Sequence, residues 1–465
     1  MGGDDRTRST IEELISSRAI IAHKDGNYGS NYPRTEEFGS EGVSFLTAKS
    51  LRDGFVDIAG APRLGNERAN AFTFGFVQAD DVLLSHNATI GRVAVVPRYE
   101  ERLLVGTSLT YFRLDPQKLL PRYFAVYLAG IDFQNQLAAV MSHSTRNQVP
   151  VTAQRKLSVV VPPLLEQRAI AHILGTLDDK IELNRRRNQT LEAMARALFK
   201  DWFVDFGPVR AKMEGRDGQD GLVSGQRHGR RTSGPTEPYL PADLWQLFPD
   251  RLDDDGKPEG WKVTTLGCVT TEIRRGISPS YLESGGVRVL NQKCIRNREI
   301  NFGLARRHDP SKRKIEGRVV MAGDILVNST GVGTLGRTAQ LWRIDESIVV
   351  DSHVSVVRPN TDIVSICYLG LNLTGREAEI EMLGEGSTGQ TELSRVRLGS
   401  LPVLVPPRQV LEQFDADARP LLDAIFANTV ESTTLAALRD TLLPKLISGE
   451  LRIADAEKLI ESGHL

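Results

Sequence analysis

Three glycines with the spacing of a phosphate-binding loop are the first residues of this sequence that could do chemistry. Gly331, Gly333 and Gly336 spell G-x-G-x-x-G after the strand-like run DILVNST at residues 324–330. Such a loop binds a dinucleotide when a helix follows it and an acidic residue ends the next strand. Here residues 337–342, RTAQLW, read as another strand. The pattern therefore predicts a hairpin turn and not a cofactor site.

Other catalytic patterns are missing from the sequence or stand in unsuitable places. It contains neither a G-x-x-x-x-G-K-[S/T] loop for ATP nor an H-E-x-x-H zinc motif. Asp250 with Asp255 and Lys257 loosely matches a nuclease pattern, but the segment is rich in Pro and Gly and offers no strands to align carboxylates. His353 lies near Asp351 without a nucleophile elbow, so a strand-edge histidine is the better interpretation. We expect no catalysis by this chain alone.

A run of basic residues is a stronger candidate for function. Residues 274–318 contain twelve Lys or Arg and four Asp or Glu, a net charge of +8. Basic side chains neutralise phosphates and release counterions, so the run predicts DNA binding, with a solvated charged face as the alternative. Polar and basic residues after strands can also read base edges. The candidates of this kind are Lys49, Arg52, Arg92, Arg274, Arg275, Asn291, Lys293 and Arg337.

Two short polar loops are the other candidates for recognition. HSTRNQ covers residues 143–148, and GSTGQ covers residues 386–390. Each alone could be an ordinary turn, but both occur at equivalent places, and polar loops on a rigid scaffold often carry binding. Their candidate contact residues are Ser144, Thr145, Arg146, Gln148, Ser387, Thr388 and Gln390.

The two loops belong to an internal duplication. The sequence Val-Pro-Pro that begins at Val161 recurs at Val405, 244 residues later. Three further landmarks recur in the same order at offsets of 243 to 245, namely Ser144 with Ser387, Asp81 with Asp324 and Gly91 with Gly336. This period is too long for a solenoid, so the sequence predicts two copies of a module of about 160 residues. Short β-like runs precede one helix in each copy, near residues 121–139 and 363–383, which is an α+β pattern.

After each Val-Pro-Pro the apolar period becomes helical. Apolar residues recur at alternating steps of four and three from Ile170 to Trp202, which is the heptad pattern of a coiled coil. The second copy repeats this apolar stripe, called the seam below, and we expect the two helices to be buried against each other along it. The alternative is that each helix packs on a separate core. The seam residues are Ile170, Leu174, Leu177, Ile181, Asn184, Asn188 and Leu191 in the first helix and Leu421, Ile425, Asn428 and Leu435 in the second.

Polar residues and prolines modify this seam. Asn184 and Asn188 of the first helix match Asn428 and Ser432 of the second, and polar seam residues fix the register of a coiled coil at a cost in stability. Arg439 interrupts the apolar seam. Pro420 should kink the second helix, and Pro444 is expected to mark its end.

The segment between the copies is a predicted linker, because it is rich in Gly, Arg, Asp and Pro. The sequence thus divides into a first module at 1–163, a helix at 164–206, a linker at 207–260, a second module at 261–407, a helix at 408–450 and a tail at 451–465.

Composition narrows the class of protein. The 465 residues include 58 basic and 59 acidic ones, which excludes a uniformly basic binder but allows a local basic surface. The three cysteines form no C-x-x-C pair, so a reducing cytoplasm is expected and a disulfide framework or a zinc or other metal site is not. Neither an N-terminal signal peptide nor a membrane span is evident from the sequence.

Taken together, these segments resemble the specificity (S) subunits of type I restriction–modification enzymes. The motifs that carry the resemblance are PPLLEQRAIAHILGTLDDKIELNRRRNQTLEAMARALFKDWFVDF after the first module, LLPKLISGEL near the end, GWKVTTLG at the start of the second module and the loop GSTGQTELS. The first module departs from the pattern, since STIEELISS replaces a G-W-x-x-x-x-L-G start and HSTRNQVPV lacks the usual glycines.

The resemblance implies a fold and a function. Each module would be a target recognition domain that reads one half of a split DNA sequence, and the helices would form an antiparallel coiled coil with pseudo-twofold symmetry. Two methyltransferase (M) subunits with S-adenosylmethionine and the restriction (R) subunits with ATP and Mg would be partners, while this chain would bind double-stranded DNA and no cofactor. The alternative is a non-catalytic scaffold in which the coiled coil joins two protein-binding modules.

Overall fold

The computed structural model describes residues 6–52, 54–142, 147–215, 240–386, 391–453 and 455–456. The chain divides into two compact units. Unit 1 comprises Met1–Arg185 with Thr429–Leu465, and unit 2 comprises Arg186–Asn428. Each unit therefore contains one copy of the duplicated module together with part of both long helices.

The two long helices follow the duplicated Pro-Pro pairs. The central helix spans Leu164–Phe203 and the C-terminal helix spans Arg408–Ser448. The C-terminal helix continues through Pro420 and Pro444, so the end expected at Pro444 is wrong. Burial explains the difference: Leu442, Leu443 and Leu446 around this proline pack into the core of unit 1 and offset one lost backbone hydrogen bond. The helix ends at Ser448, before a glycine with a positive φ.

Unit 1 is built on two sheets. One sheet is antiparallel. The other is mixed, because Leu103–Val105 pairs in parallel with Val43–Leu46, and a parallel pair requires a crossover connection. The first contains, in spatial order, Val93–Val95, Val82–Ser85, Leu109–Leu114 and Ile20–Asp25; the second contains Phe38–Gly39, Arg63–Leu64, Val43–Leu46, Leu103–Val105 and Phe76–Val77. Thr7–Thr10 pairs with Ser158–Val161, and Leu51–Arg52 pairs with Phe55–Val56.

Short helices surround these sheets. The helix expected near residues 121–139 is two helices, which break at Gly130. The helices of unit 1 outside the long pair are Ile11–Ser16, Asn66–Asn70, Pro121–Ala129, Ile131–Ser142 and Val151–Gln154, with 3-10 turns at Gly29–Asn31, Thr35–Glu37 and Ala48–Ser50.

Unit 2 repeats this plan. Its antiparallel sheet contains Thr270–Arg275, Val354–Pro359, Ile325–Asn328 and Thr338–Gln340, and its mixed sheet contains Tyr281–Leu282, Arg306–His308, Val287–Leu290 and Ile348–Val350. Lys262–Thr265 pairs with Pro402–Val405, and Ile295–Arg296 pairs with Glu299–Ile300. The remaining helices are Gly207–Met213, Ala242–Trp245, Ile366–Thr374, Glu377–Met382 and Arg395–Gly399, with 3-10 turns at Leu266–Val269, Gln292–Cys294 and Phe302–Leu304.

The described ends of the segment 207–260 carry packed structure. The helix Gly207–Met213 buries Val209, and Phe248 packs against Trp202 of the central helix with ring centroids 5.1 Å apart. Aromatic burial of this kind contributes strongly to a core. These ends therefore belong to the core of unit 2, while residues 216–239 lie outside the described ranges.

An ion pair and a tyrosine hydrogen bond occur at equivalent positions in both units and confirm the duplication at the level of side chains. Asp81 forms an ion pair of 2.7 Å with Arg113 in unit 1, and Asp324 forms one of 2.7 Å with Arg358 in unit 2. The hydroxyl of Tyr123 donates to the carbonyl of Val160, as that of Tyr368 does to Leu404. The same side-chain contacts therefore hold the strands and the helix that follows them in both units.

Candidate nucleic-acid interface

A basic turn occurs once in each unit at the same place in the fold. In unit 1 a fully buried strand, Val43–Leu46, leads into the 3-10 turn that carries Lys49, and Arg52 follows in the next hairpin. In unit 2 the equivalent residues are Lys293 and Arg296, each 244 positions later. All four side chains are exposed. The same turn and hairpin thus carry two exposed cations in both units, and Arg52 also pairs with Asp57 over 3.6 Å.

Capping hydrogen bonds hold the two basic turns. In unit 1 the backbone N–H of Thr47 donates to the hydroxyl of Ser50 over 3.1 Å. In unit 2 the side-chain oxygen of Asn291 accepts from the backbone N–H of Lys293 over 2.8 Å. The side-chain oxygen of the candidate Asn291 is therefore engaged in shaping the turn. Its side-chain N–H groups are left for a ligand.

A polar cluster adjoins the basic turn of unit 2. The hydroxyl of Thr330 lies 3.2 Å from the side-chain oxygen of Gln292 and 2.8 Å from Nδ1 of His353. The amide of Asn328 donates to the carbonyl of Gln292 over 3.0 Å. Three strand ends therefore meet at one edge. Sequence reasoning did not select Thr330 or His353 for recognition, because their contacts join strands that are far apart in the sequence.

In unit 1 the same edge carries a smaller polar set. The backbone N–H of Ala48 donates to the hydroxyl of Ser108 over 2.8 Å, and Arg92 donates to the carbonyls of Ala48 and Leu51 at 3.1 and 3.0 Å. Ser108 corresponds to His353 of unit 2. The candidate Arg92 therefore braces the turn that carries Lys49.

Most of the two Ser-Thr loops falls outside the described residues, namely Ser144, Thr145 and Arg146 in unit 1 and Ser387, Thr388 and Gln390 in unit 2. Their flanks are described. In unit 1, Gln148 forms an isolated bridge with Asn87, and the side chain of Asn147 donates to Ala88 over 3.0 Å. The exit of this loop is thus fixed beside the strand end that precedes Gly91.

The flank of the loop in unit 2 is fixed in the same way. Glu392 forms a bridge with Thr330, and Arg275 donates to the Glu392 carboxylate and to the Leu393 carbonyl, both over 2.8 Å, and to the Ser352 carbonyl over 3.0 Å. The candidate Arg275 therefore clamps the exit of the loop. Because Thr330 also contacts Gln292, the loop exit and the basic turn lie at one edge of unit 2.

Two further candidates have internal partners. Arg274 is only 5% exposed and donates to the carbonyls of Arg318 and Val319, with Glu272 2.9 Å away. A side chain this buried does not reach a DNA surface in this conformation, which corrects the expectation for Arg274. Arg337 donates to the carbonyl of Gly333 over 2.6 Å and stays partly exposed.

The basic run of unit 2 is only partly neutralised. Arg288 and Arg307 share Glu346, and Arg298 approaches Glu192 at 4.0 Å. By contrast, the run contains seven exposed cations with no carboxylate within 4.0 Å among the described residues, namely Lys293, Arg296, Arg306, Lys312, Arg313, Lys314 and Arg318. Their uncompensated charge makes this surface suited to phosphates.

A buried histidine pair underlies the loop flank of unit 1. Nδ1 of His86 lies 3.2 Å from the carbonyl of Val149, and Nε2 of His23 lies 3.1 Å from the side-chain oxygen of Gln154, whose amide donates to the same Val149 carbonyl. Burial lowers the pKa of His23 to about 4, and burial also lowers the pKa of His86, against the opposing charge of Asp25. Both rings are therefore neutral at pH 7.

The long helices pair in antiparallel fashion within unit 1. Arg439 of the C-terminal helix forms an ion pair of 2.7 Å with Asp178 of the central helix. Further along, the amide of Asn184 donates to Glu431 over 2.6 Å and lies 3.4 Å from the hydroxyl of Ser432. Arg439 was expected to interrupt the apolar seam, and in the structure its pairing with Asp178 makes it part of the contact between the helices. Burial raises the pKa of Asp178, while the Arg439 guanidinium opposes that rise.

The same pairing continues inside unit 2. The amide of Asn428 donates to the side-chain oxygen of Asn188 over 2.8 Å, and the amide of Asn188 approaches the carbonyl of Ile425 at 3.3 Å. Trp202 and Phe414 then close the seam with ring centroids 5.9 Å apart. The predicted antiparallel coiled coil is thus present in the part of each helix that belongs to each unit, with polar pairs that define a single register.

The segments that loosely match catalytic motifs form ordinary turns and loops in the structure. The Gly331–Gly336 segment is the turn between two antiparallel strands, as predicted. Lys257 contacts Asp253 and Asp255 in an exposed loop. Within the described ranges, no group of three or more His, Cys, Asp or Glu side chains is arranged to hold a metal ion. None of the described helices is long and apolar enough to cross a membrane.

Comparison with known proteins places this geometry in context. Residues 37–193 match the profile of a family described as the type I restriction modification DNA specificity domain. The chain is 30% identical to the MjaX specificity subunit of Methanocaldococcus jannaschii, over 80% of this chain and 79% of that protein. It is 25% identical to the type I restriction enzyme HindI specificity subunit of Haemophilus influenzae, over 78% of this chain and 84% of the relative. The fold is similar to that of a type I restriction-modification S subunit from M. genitalium, with a TM-score of 0.51, 15% identity and coverage of 96% and 97% of the two chains.

Proposed function

The chain belongs to the family of type I restriction enzyme specificity subunits, and from this premise we propose that each of its two units reads one half of a split DNA target. That the protein acts as a DNA specificity subunit follows from the family. The assignment of one half to each unit rests on one observation: the exposed pair Lys49 and Arg52 recurs as Lys293 and Arg296 on the same turn. The recognition domains are residues 1–163 and 261–407.

Contacts in the proposed interface divide into two kinds. The exposed cations of both turns, together with Lys312, Lys314 and Arg318, are suited to phosphates and would position the units without reading sequence. The amides, hydroxyls and imidazole at the strand ends are suited to base edges in the major groove. In this second group we place Asn291, Gln292, Thr330 and His353, along with the two Ser-Thr loops at residues 143–148 and 386–390.

We propose that the paired helices set the number of base pairs between the two halves of the target. The support is the polar ladder formed by Asp178–Arg439, Asn184–Ser432 and Asn188–Asn428, which permits only one register. A spacer must have a fixed length to act as a ruler, and an apolar seam alone would tolerate slippage by a heptad. Residues 164–206 and 408–450 form this spacer.

Catalysis in this proposal belongs to partner subunits. Two methyltransferase subunits with S-adenosylmethionine would dock on the helices and methylate adenine, and restriction subunits with ATP and Mg would join for cleavage. The family supplies the expectation of a complex, and the duplication suggests two equivalent docking sites. This chain itself would bind double-stranded DNA in the cytoplasm and no cofactor.

The proposal is tested on the complex. The chain is co-purified with its M subunit, and methylated adenines are mapped in DNA that the complex has modified. We expect one bipartite sequence with a fixed gap. If the complex assembles but methylates adenines without sequence preference, the chain is a scaffold that joins two protein-binding modules, and the DNA-reading proposal is wrong.

The spacer proposal has its own test. Seven residues inserted into the central helix alone, between Asn188 and Ala195, shift the seam partners on one side by a heptad. We expect loss of assembly or a changed gap in the methylated sequence. An unchanged gap with full activity would contradict the ruler.

A further inference from the structure

The edge of unit 2 that carries the polar cluster has a feature that unit 1 lacks. Between Asp81 and Gly91 in unit 1 and Asp324 and Gly336 in unit 2, the offset rises from 243 to 245 residues. The hairpin turn of unit 2 is therefore two residues longer. It contains Gly331-Val332-Gly333 at its tip, where unit 1 has the shorter Asn87–Gly91 turn.

The longer hairpin is rigid. The hydroxyl of Thr334 lies 3.1 Å from the carbonyl of Thr330 and 3.3 Å from that of Gly331, and Arg337 donates to the carbonyl of Gly333 over 2.6 Å. Gly331 and Gly333 have φ angles of +99° and +69°, which side-chain-bearing residues rarely adopt. A Cβ on Gly331 would also lie 2.4 Å from the Thr334 hydroxyl oxygen. These hydrogen bonds and glycine conformations thus fix the backbone of the hairpin turn.

The shape presents one apolar side chain. Val332 is 80% exposed, and its branched side chain has few rotamers, so little entropy is lost when it is bound. The root of the hairpin is Thr330, which contacts Gln292 and His353. An apolar group on a rigid tip therefore projects from the same edge as hydrogen-bonding side chains and the free cations Lys293 and Arg296.

From this arrangement we propose that Val332 is a specificity-determining residue that contacts the 5-methyl group of a thymine in the half of the target read by unit 2. The thymine methyl is the one apolar group that a base pair presents in the major groove, and aliphatic side chains are its partners there. The neighbouring amides and hydroxyls suit the polar edges of adjacent bases. Unit 1 has a turn two residues shorter and no valine at this place, so we assign the Val332 contact to the half read by unit 2 alone. The inference rests on the proposed DNA-reading function.

The test uses the complex with its own target duplex, once that target is known from methylation mapping. Each thymine in the half read by unit 2 is replaced in turn by deoxyuridine, which removes only the methyl group. For the wild-type complex, we expect one position to lose about fourfold in affinity, since burying a single methyl(ene) group contributes about 0.8 kcal/mol. In Val332→Ala the same substitution should have no effect.

Val263→Ala is the matched control, because Val263 is an exposed valine, 57% accessible, on the strand Lys262–Thr265 of the same unit. This variant should keep the fourfold response to deoxyuridine. The inference is overturned if the half contains no thymine, if the wild type responds at none, or if the response persists in Val332→Ala. Preference for the target over unrelated DNA in all three proteins shows that the DNA-reading function itself holds, so the two failures are distinguishable.

Discussion

The two units share a scaffold but differ in what lies under and around the edge that carries the basic turn and the flank of the Ser-Thr loop. Unit 1 buries His23, His86 and Gln154 beneath the flank of its Ser-Thr loop. Strand pairing and the repeat offset place Ile273, Ser329 and Leu398 at the corresponding positions of unit 2. The edge residues also differ, since Asp25 of unit 1 corresponds to Arg275, the clamp of unit 2.

The difference shows which parts of the duplication are constrained. The ion pairs Asp81–Arg113 and Asp324–Arg358 join neighbouring strands of each antiparallel sheet and are the same in both units. Apart from the shared basic turn, the residues that support and line this edge differ in chemistry between the units. A duplicated scaffold with different edges is what a protein needs to read two different half-sequences with one fold.

The largest effect should come from breaking the shared ion pair. Asp81→Ala and Asp324→Ala each leave an arginine without its bidentate partner, and removal of one member of a buried pair costs about 3 kcal/mol or more. We expect each variant to reduce hydrogen-exchange protection of the antiparallel sheet in its own unit by that amount. Asp179→Ala, which removes an exposed partner of Arg122, serves as the control and should cost less than 1 kcal/mol. Because Arg358 keeps an ion pair of 3.2 Å with Glu272, the loss in unit 2 should be equal or smaller, and a larger loss there than in unit 1 would contradict a shared scaffold.

The histidine pair should make unit 1 sensitive to acid. The pKa of His23 is lowered by burial to about 4 in the folded chain, so the unfolded chain binds this proton first as the pH falls. The free energy of unfolding therefore decreases from about pH 6.5 downward, by on the order of 3 kcal/mol near pH 4.5, and is regained as the pH rises. His86 adds in the same direction.

The matched control for acid sensitivity gives unit 1 the residues of unit 2. In His23→Ile with Gln154→Leu, the core has the pair Ile273 and Leu398 that unit 2 uses. Hydrogen exchange of the amides of unit 1, measured at pH 7 and pH 4.5 and corrected for the intrinsic exchange rate, should show a smaller acid effect in this variant. An equal acid effect in the wild type and the variant would mean that the histidines do not cause the difference between the units.

The smallest effect concerns the shared basic turns. Lys49→Ala and Lys293→Ala should each weaken DNA binding by about three- to tenfold at low salt and reduce the slope of log affinity against log salt by about 1, because each removes one phosphate contact. Lys262→Ala, an exposed lysine of unit 2 outside the turn, should leave the slope unchanged. If only one of the two turn variants changes the slope, the turns do not share a role.

Much of the architecture was predictable because it follows from periodicity. The heptad spacing from Ile170 and the recurrence of Val-Pro-Pro each reflect a repeated physical requirement, burial of one helix face and a helix start after a strand. The hairpin at Gly331 was predictable from the strand-like residues on both sides. These signals are local or strictly repeated, so one sequence is enough to read them.

The rest depends on contacts between residues far apart in sequence. Arg439 looked like a flaw in the seam because its partner Asp178 lies 261 residues away. Arg274 looked like a DNA contact because its charge is visible in the sequence and its burial is not. The strand end at Thr330 and the turn at His353 become neighbours of Gln292 only when three strands end at one edge.

The central claim is that each unit reads its own half of the target. Residues 1–163 are exchanged for the corresponding module of a relative with a different known target, and methylated adenines are mapped after modification by the hybrid complex. We predict that one half of the methylated sequence changes while the other half and the gap stay the same. A change in both halves, or in neither, would contradict the assignment of one half-site to each unit.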